Sequence, residues 1–261
     1  CPGIPIIRFF GPPLQRAPDL TLLRISATPA IRITGVDQGS AMTCIVFASS
    51  KGGAGKTTSC IALAEMFVRA GYPTAVLELD RNSPIADYAA VQHKRGRSTV
   101  TVLPPPPDSE RLPLTLKRLQ KEHDVLFVDL PGAATTEMLT ATAAADLVIV
   151  PMQTARWDAR EAKATHDEIV QLTQDSKYPP IVRVLLTRTP AGAVVPGYYT
   201  RAIKALDVQE LPKLRVELVE RKAWRDLQEG GSYPESGPAY DNAKRLFETV
   251  VAELVQEEDI R

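Results

Sequence analysis

Apolar residues fall along this chain in two alternating rhythms. Compact apolar runs occupy 43–48, 74–79, 99–103, 125–129, 147–151, 181–187 and 214–218. Between them lie longer segments with the apolar spacing of a helix, at 57–70, 85–94, 109–121, 135–144, 158–174, 198–205, 221–230 and 239–256. The first rhythm predicts β-strands and the second predicts helices. Several runs, such as Cys44-Ile45-Val46-Phe47-Ala48, are apolar without a break, as strands covered on both faces require. The strand–helix alternation predicts an α/β fold: a doubly wound, mostly parallel sheet with helices on both faces. Pro104 to Pro107 read as a rigid surface connection within this domain, because the alternation resumes on either side.

Between the first strand and the first helix stands Ser50-Lys51-Gly52-Gly53-Ala54-Gly55-Lys56-Thr57-Thr58. A glycine-rich turn at this junction presents successive backbone N–H groups, and the positive end of the helix dipole, to a phosphate. From that position Lys56 reaches the β- and γ-phosphates and the Thr57 hydroxyl ligates Mg²⁺. The usual pattern has glycine where Ser50 stands, and Lys51 is an additional lysine. Lys-Gly-Gly-x-Gly-Lys-Thr-Thr resembles the deviant Walker A motif of the ParA/MinD family of ATPases, whose fold is that of P-loop NTPases.

The resemblance implies a role for each matching residue. Lys51, Gly52, Gly53, Ala54, Gly55, Lys56, Thr57 and Thr58 would hold ATP, with Lys51 reaching across a dimer interface to the partner's nucleotide. The family's Asp-x-Asp motif corresponds to Glu78-Leu79-Asp80. Asp80 matches the second aspartate, which bears on the hydrolytic water and the metal, while Glu78 replaces the first. Lys51, Lys56 and Asp80 are the catalytic candidates. Asp124 to Gly132 form an apolar strand ending in a carboxylate and a Pro-Gly turn, the Walker B arrangement. Asp129 there holds Mg²⁺ with Thr57 and Asp80, and Gly132 lets the backbone approach the γ-phosphate. Val184 to Thr189 end a later strand where relatives place Asn-Arg near the adenine base. Thr187 stands for the asparagine, and Arg188 is the base-side candidate.

Late in the chain Arg221 and Arg225 stand four apart, a spacing that puts them on one helical face. With Arg201, Lys204, Lys213, Arg215 and Lys222 they suggest a basic surface, balanced in part by Glu217, Glu220 and Asp226. In ParA-type proteins such a surface binds DNA without sequence preference, through phosphates.

Composition narrows this reading. Lysine plus arginine and aspartate plus glutamate each total 31, so any nucleic-acid contact must come from a local patch. The three cysteines, Cys1, Cys44 and Cys60, form neither a disulfide framework nor a metal motif. Residues 1–41 are proline-rich and aperiodic, and are expected to be a flexible or non-native extension ahead of an ATPase domain at 42–261. The chain finishes in acidic residues from Glu253 onward, which anionic lipid repels, so the basic membrane-inserting helix of MinD proteins is not expected.

Taken together, the resemblance implies a small ParA-type ATPase using ATP and Mg²⁺, acting in DNA partition. It would dimerise on ATP, bind non-specific DNA and release it when a ParB-like partner stimulates hydrolysis. Its place would be the bacterial cytoplasm, on the nucleoid and off the membrane. The alternatives are a nucleotide-gated positioning module for a non-DNA cargo, and a fold-related ATP-dependent ligase or synthase.

Overall fold

A computed structural model describes residues 43–258 apart from 81, 98, 120, 133–134 and 193–195, and without the side chains of Arg156, Gln256, Glu257 and Glu258. The extension at 1–41, the start at Met42 and the last residues of the acidic terminus lie outside the described residues.

Among the described residues seven strands form one sheet: β1 (Thr43–Phe47), β2 (Thr74–Glu78), β3 (Thr101–Leu103), β4 (Val125–Asp129), β5 (Leu147–Met152), β6 (Ile181–Thr189) and β7 (Leu218–Val219). Their spatial order is β3-β2-β4-β1-β5-β6-β7, and every neighbouring pair is parallel. The helices are α1 (Lys56–Arg69), α2 (Pro84–Lys94), α3 (Leu112–Leu119), α4 (Thr136–Ala143), α5 (Arg156–Thr173), α6 (Gly197–Val208), α7 (Lys222–Gln228) and α8 (Gly237–Glu258).

Alternation along each strand sorts the core into two layers. Ile45, Phe47 and Phe127 face one side and pack with α1, α2, α7 and α8. Cys44, Val46, Leu126 and Val128 face the other, against α3, α4, α5 and α6. The doubly wound sheet expected from the apolar runs is therefore present. Burying side chains the size of Phe47 and Phe127 stabilises by about 2 kcal/mol each. Helix α1 is buried almost throughout from Thr58 to Phe67. The carboxylate of Glu65 within it is satisfied by the Tyr88 hydroxyl at 3.0 Å, the Thr99 hydroxyl and the Val100 N–H.

Two segments differ from the sequence pattern. The run at 214–218 does not form one strand. Lys213 bridges Val184, and pairing with β6 resumes only at Leu218–Val219. The pairing that resumes is itself irregular: Arg188 of β6 turns into the left-handed region (φ 50°) and the register shifts between Thr187 and Thr189. Asn242 of α8 closes this edge: its side chain accepts from the Val219 N–H at 2.8 Å and donates to the Glu217 carbonyl at 2.7 Å. Arg221 is likewise not helical. It precedes α7 in extended conformation (φ −137°), so it shares no helical face with Arg225.

Candidate nucleotide-binding site

Parallel strands end together, and that alignment assembles the site. Asp129, the last residue of β4, sits in register with Phe47 of β1 on one side and Glu78 of β2 on the other. The glycine-rich turn leaves β1 at this row and leads directly into α1. Gly55, the residue before α1, adopts φ 98°, which a side chain would strain. A Cβ on Gly55 would also lie 3.2 Å from the Thr187 Oγ1. That hydroxyl donates to the Ala54 carbonyl at 2.8 Å, so Thr187 supports the turn from β6.

Within the turn Lys56 is buried and its ammonium makes only long contacts, 3.4 Å to the Ser49 carbonyl and 3.3 Å to that of Lys51. Burial lowers its pKa, while the charges of Asp129 and Asp80 oppose that shift. The Thr57 hydroxyl donates to Asp129 Oδ2 at 2.8 Å. Asp129 is fully buried and its Oδ1 has no hydrogen-bond partner. Burial pushes its carboxyl up to about 7, against the Thr57 hydroxyl and Lys56, with Glu78 and Asp80 adding to the rise. Thr57 and Asp129 therefore fit a Mg²⁺ site: one hydroxyl, one orphaned buried carboxylate oxygen and further carboxylates close enough to be felt. Gly132 fits a phosphate cradle, since a Cβ there would stand 3.2 Å from Gly52 Cα and 3.5 Å from the Lys56 ammonium.

The Asp129 carboxyl has a measurable consequence. Its folded pKa lies above the unfolded value near 3.9, so between these values the native state binds more protons. Stability contributed by the neutral carboxyl is present at low pH and is lost as pH rises through about 7. The loss is on the order of 4 kcal/mol for a shift of this size. Asp129→Asn, neutral at every pH, is expected to raise the melting temperature of the nucleotide-free protein by several degrees at pH 8 and by about half as much at pH 5.5. Thermal melts at both pH values check this, and equal shifts would contradict it.

Asp80 follows β2 on the loop to α2, half-buried, with its Oδ1 accepting from the Asn82 N–H at 2.9 Å. Glu78 takes a different role. It is buried and accepts from the Ile85 N–H at 2.6 Å and the Ala86 N–H at 3.0 Å, capping α2. Burial raises its pKa, partly offset by those two backbone donors. Glu78 thus fixes α2 immediately after the loop that carries Asp80.

Lys51 is the outer arm of the turn. Its ammonium pairs with Asp158 in the first turn of α5; the lysine side chain is 42% exposed and the aspartate 3%. The Ser50 hydroxyl donates to Glu161 at 3.2 Å, and the Gln153 side chain donates to the Gly53 carbonyl. Sequence reasoning missed Asp158, Glu161 and Gln153 as site residues. The available signal was topological: β5 was expected to follow Walker B, and the sheet sets it directly beside β1, which puts the start of α5 against the turn.

Arg188 is half exposed, 3.9 Å from Glu220, on a cleft also lined by Gly55, Thr58, Trp224 and Gln228. The late basic residues are divided. Lys213 pairs with Asp207, Lys222 with Asp226 and Arg225 with Glu220. Arg201, Lys204 and Arg215 are exposed without an ion pair among the described residues. Arg215 lies in a groove beside α8, apart from α7.

Comparison with known proteins gives the fold and the family. Protein ParA of Rhizobium radiobacter is 28% identical over 192 residues, covering 73% of this chain and 85% of the relative. Apo McdA of Cyanothece superposes with a TM-score of 0.67 at 18% identity, over 82% of this chain and 100% of that one. Cobyrinic acid a,c-diamide synthase of Mycobacterium smegmatis, with an ATP analogue and magnesium bound, gives 0.63 at 17% identity over 81% and 94%. The fold is that of the ParA/MinD-type P-loop proteins. The family profile described as VirC1 protein matches residues 42–259, and the chain belongs to that family.

Proposed function

We propose that this chain is an ATP-driven switch of the partition type: ATP and Mg²⁺ bring two copies together, the dimer holds DNA through phosphates, and hydrolysis releases it. The observation that carries this reading is Lys51. Lys56 is buried inside the turn, whereas the Lys51 side chain is 42% exposed and is held at the edge of the turn by Asp158 of α5, which supports a role for it beyond its own nucleotide. Lys56 and Thr57 bind phosphate and Mg²⁺ in cis. Mg²⁺ held by Thr57 and Asp129 would supply positive charge against the charge that develops on transfer. Asp80 orients the attacking water, and Arg188 packs beside the base. A ParB-like partner, bound to the dimer, stimulates the slow hydrolysis.

DNA co-sedimentation tests the reading. Binding is expected with ATP and Mg²⁺ and not with ADP. The pair Arg221→Ala and Arg225→Ala is expected to reduce the slope of log affinity against log salt by about 2, since each lost phosphate contact removes roughly 0.9. Binding indifferent to nucleotide would refute the switch. The second reading, a nucleotide-gated module that positions a non-DNA cargo, draws support from the ion pairs that occupy Lys213, Lys222 and Arg225. Nucleotide-dependent dimerisation without DNA binding would favour it.

A further inference from the structure

We propose that Trp157 is the aromatic anchor through which a second copy of this chain seats against the nucleotide face, an inference that rests on the dimer reading above. Trp157 is 68% exposed, whereas the chain's other tryptophan, Trp224, is 5% exposed. Nothing in the fold requires an exposed tryptophan at the first turn of α5.

Its position ties it to the phosphate-binding turn. Asp158, the next residue, holds Lys51. Glu161, four residues beyond Trp157, accepts the Ser50 hydroxyl at 3.2 Å. Residues four apart share a helical face, so Trp157 stands one turn from Glu161 on the side of α5 that meets the Ser50–Lys51 arm. Arg160 lies 5.1 Å from the ring centroid and steadies it by a cation–π contact.

The charges around the ring indicate the occupant. Lys51 and Arg160 supply positive charge, and Glu161 supplies negative charge. An interface on a two-fold axis brings a patch against itself, so it must be self-complementary, and a patch of both signs around a central aromatic meets that condition. Tryptophan and arginine are also the residues most enriched among those that dominate binding energy. A DNA duplex is the poorer fit, because the exposed Glu161 would face phosphates.

Sedimentation velocity on the full chain with ATP and Mg²⁺ tests the anchor. Trp157→Ala is expected to weaken dimerisation roughly thirtyfold, while Trp157→Phe stays within about threefold of the parent. Nucleotide affinity of the monomer should be the same in all three. Tryptophan emission of the parent should shift to the blue with ATP in proportion to dimer formed, and Trp157→Phe should lose that shift because Trp224 is already buried. If the parent dimerises and Trp157→Ala dimerises equally well, the anchor is wrong and the switch stands. If the parent stays monomeric with ATP, the dimer reading and the anchor both fall. A blue shift produced by DNA alone would assign the ring to nucleic acid and overturn the proposal.

Discussion

Lys51→Ala is expected to leave the protein monomeric in ATP and Mg²⁺ while it still binds nucleotide. Lys56, Thr57 and the turn's backbone donors remain, so affinity of the single chain should change little. Removing one member of a desolvated charge pair at an interface typically costs 2–5 kcal/mol, so dimerisation should weaken by about two orders of magnitude. Size-exclusion chromatography with ATP reads the result, and a Lys51→Ala protein that dimerises like the parent would remove the trans role. The substitution also strands Asp158, which is 3% exposed. Its carboxylate keeps only a long contact, from the Ala155 N–H at 3.3 Å. Some loss of stability is therefore expected, reduced by the lysine's own exposure to water. The double variant Lys51→Ala, Asp158→Ala removes the stranded charge, and it should recover the stability without recovering the dimer.

Asp80→Ala is expected to uncouple binding from turnover. Asp80 is near enough for its charge to act on both Lys56 and Asp129, yet it forms no bond to Thr57. Loss of a residue that orients or activates the attacking water costs on the order of 10²–10⁴ in rate. ATP should stay bound, and the protein should accumulate as the ATP dimer. Phosphate release measured alongside the dimer fraction checks both halves. Unchanged release would take Asp80 out of the mechanism. A trapped dimer also makes a pull-down bait for the stimulating partner.

The residues of the candidate site differ in how far sequence exposed them. Lys56, Thr57, Asp129 and Gly132 were legible because a phosphate site at a strand–helix junction dictates residue types at fixed short spacings. Asp158 was not legible, since it acts across 107 residues through the placement of β5 beside β1. Glu78 was read only as a departure from a pattern; its work as the cap of α2 depends on two N–H groups that a linear reading does not bring near it. Arg221 shows the opposite failure. A four-residue spacing describes a face only where both residues are helical, and the chain there is extended. For β7 the apolar run was visible, but the left-handed turn at Arg188 that shifts its register lies in a different strand.

Asn242 has a consequence for how these molecules meet one another. Exposed strand edges recruit any extended chain, and a protein that gathers at high local concentration risks stacking into fibres through them. At one margin the Asn242 amide imitates a neighbouring strand and occupies a donor and an acceptor of the β7 region. At the other, β3 is three residues long and runs into Pro104–Pro107, which have no N–H to offer. With one margin partly capped and the other cut short, encounters between copies fall more to side chains, where a bound nucleotide can decide whether they last.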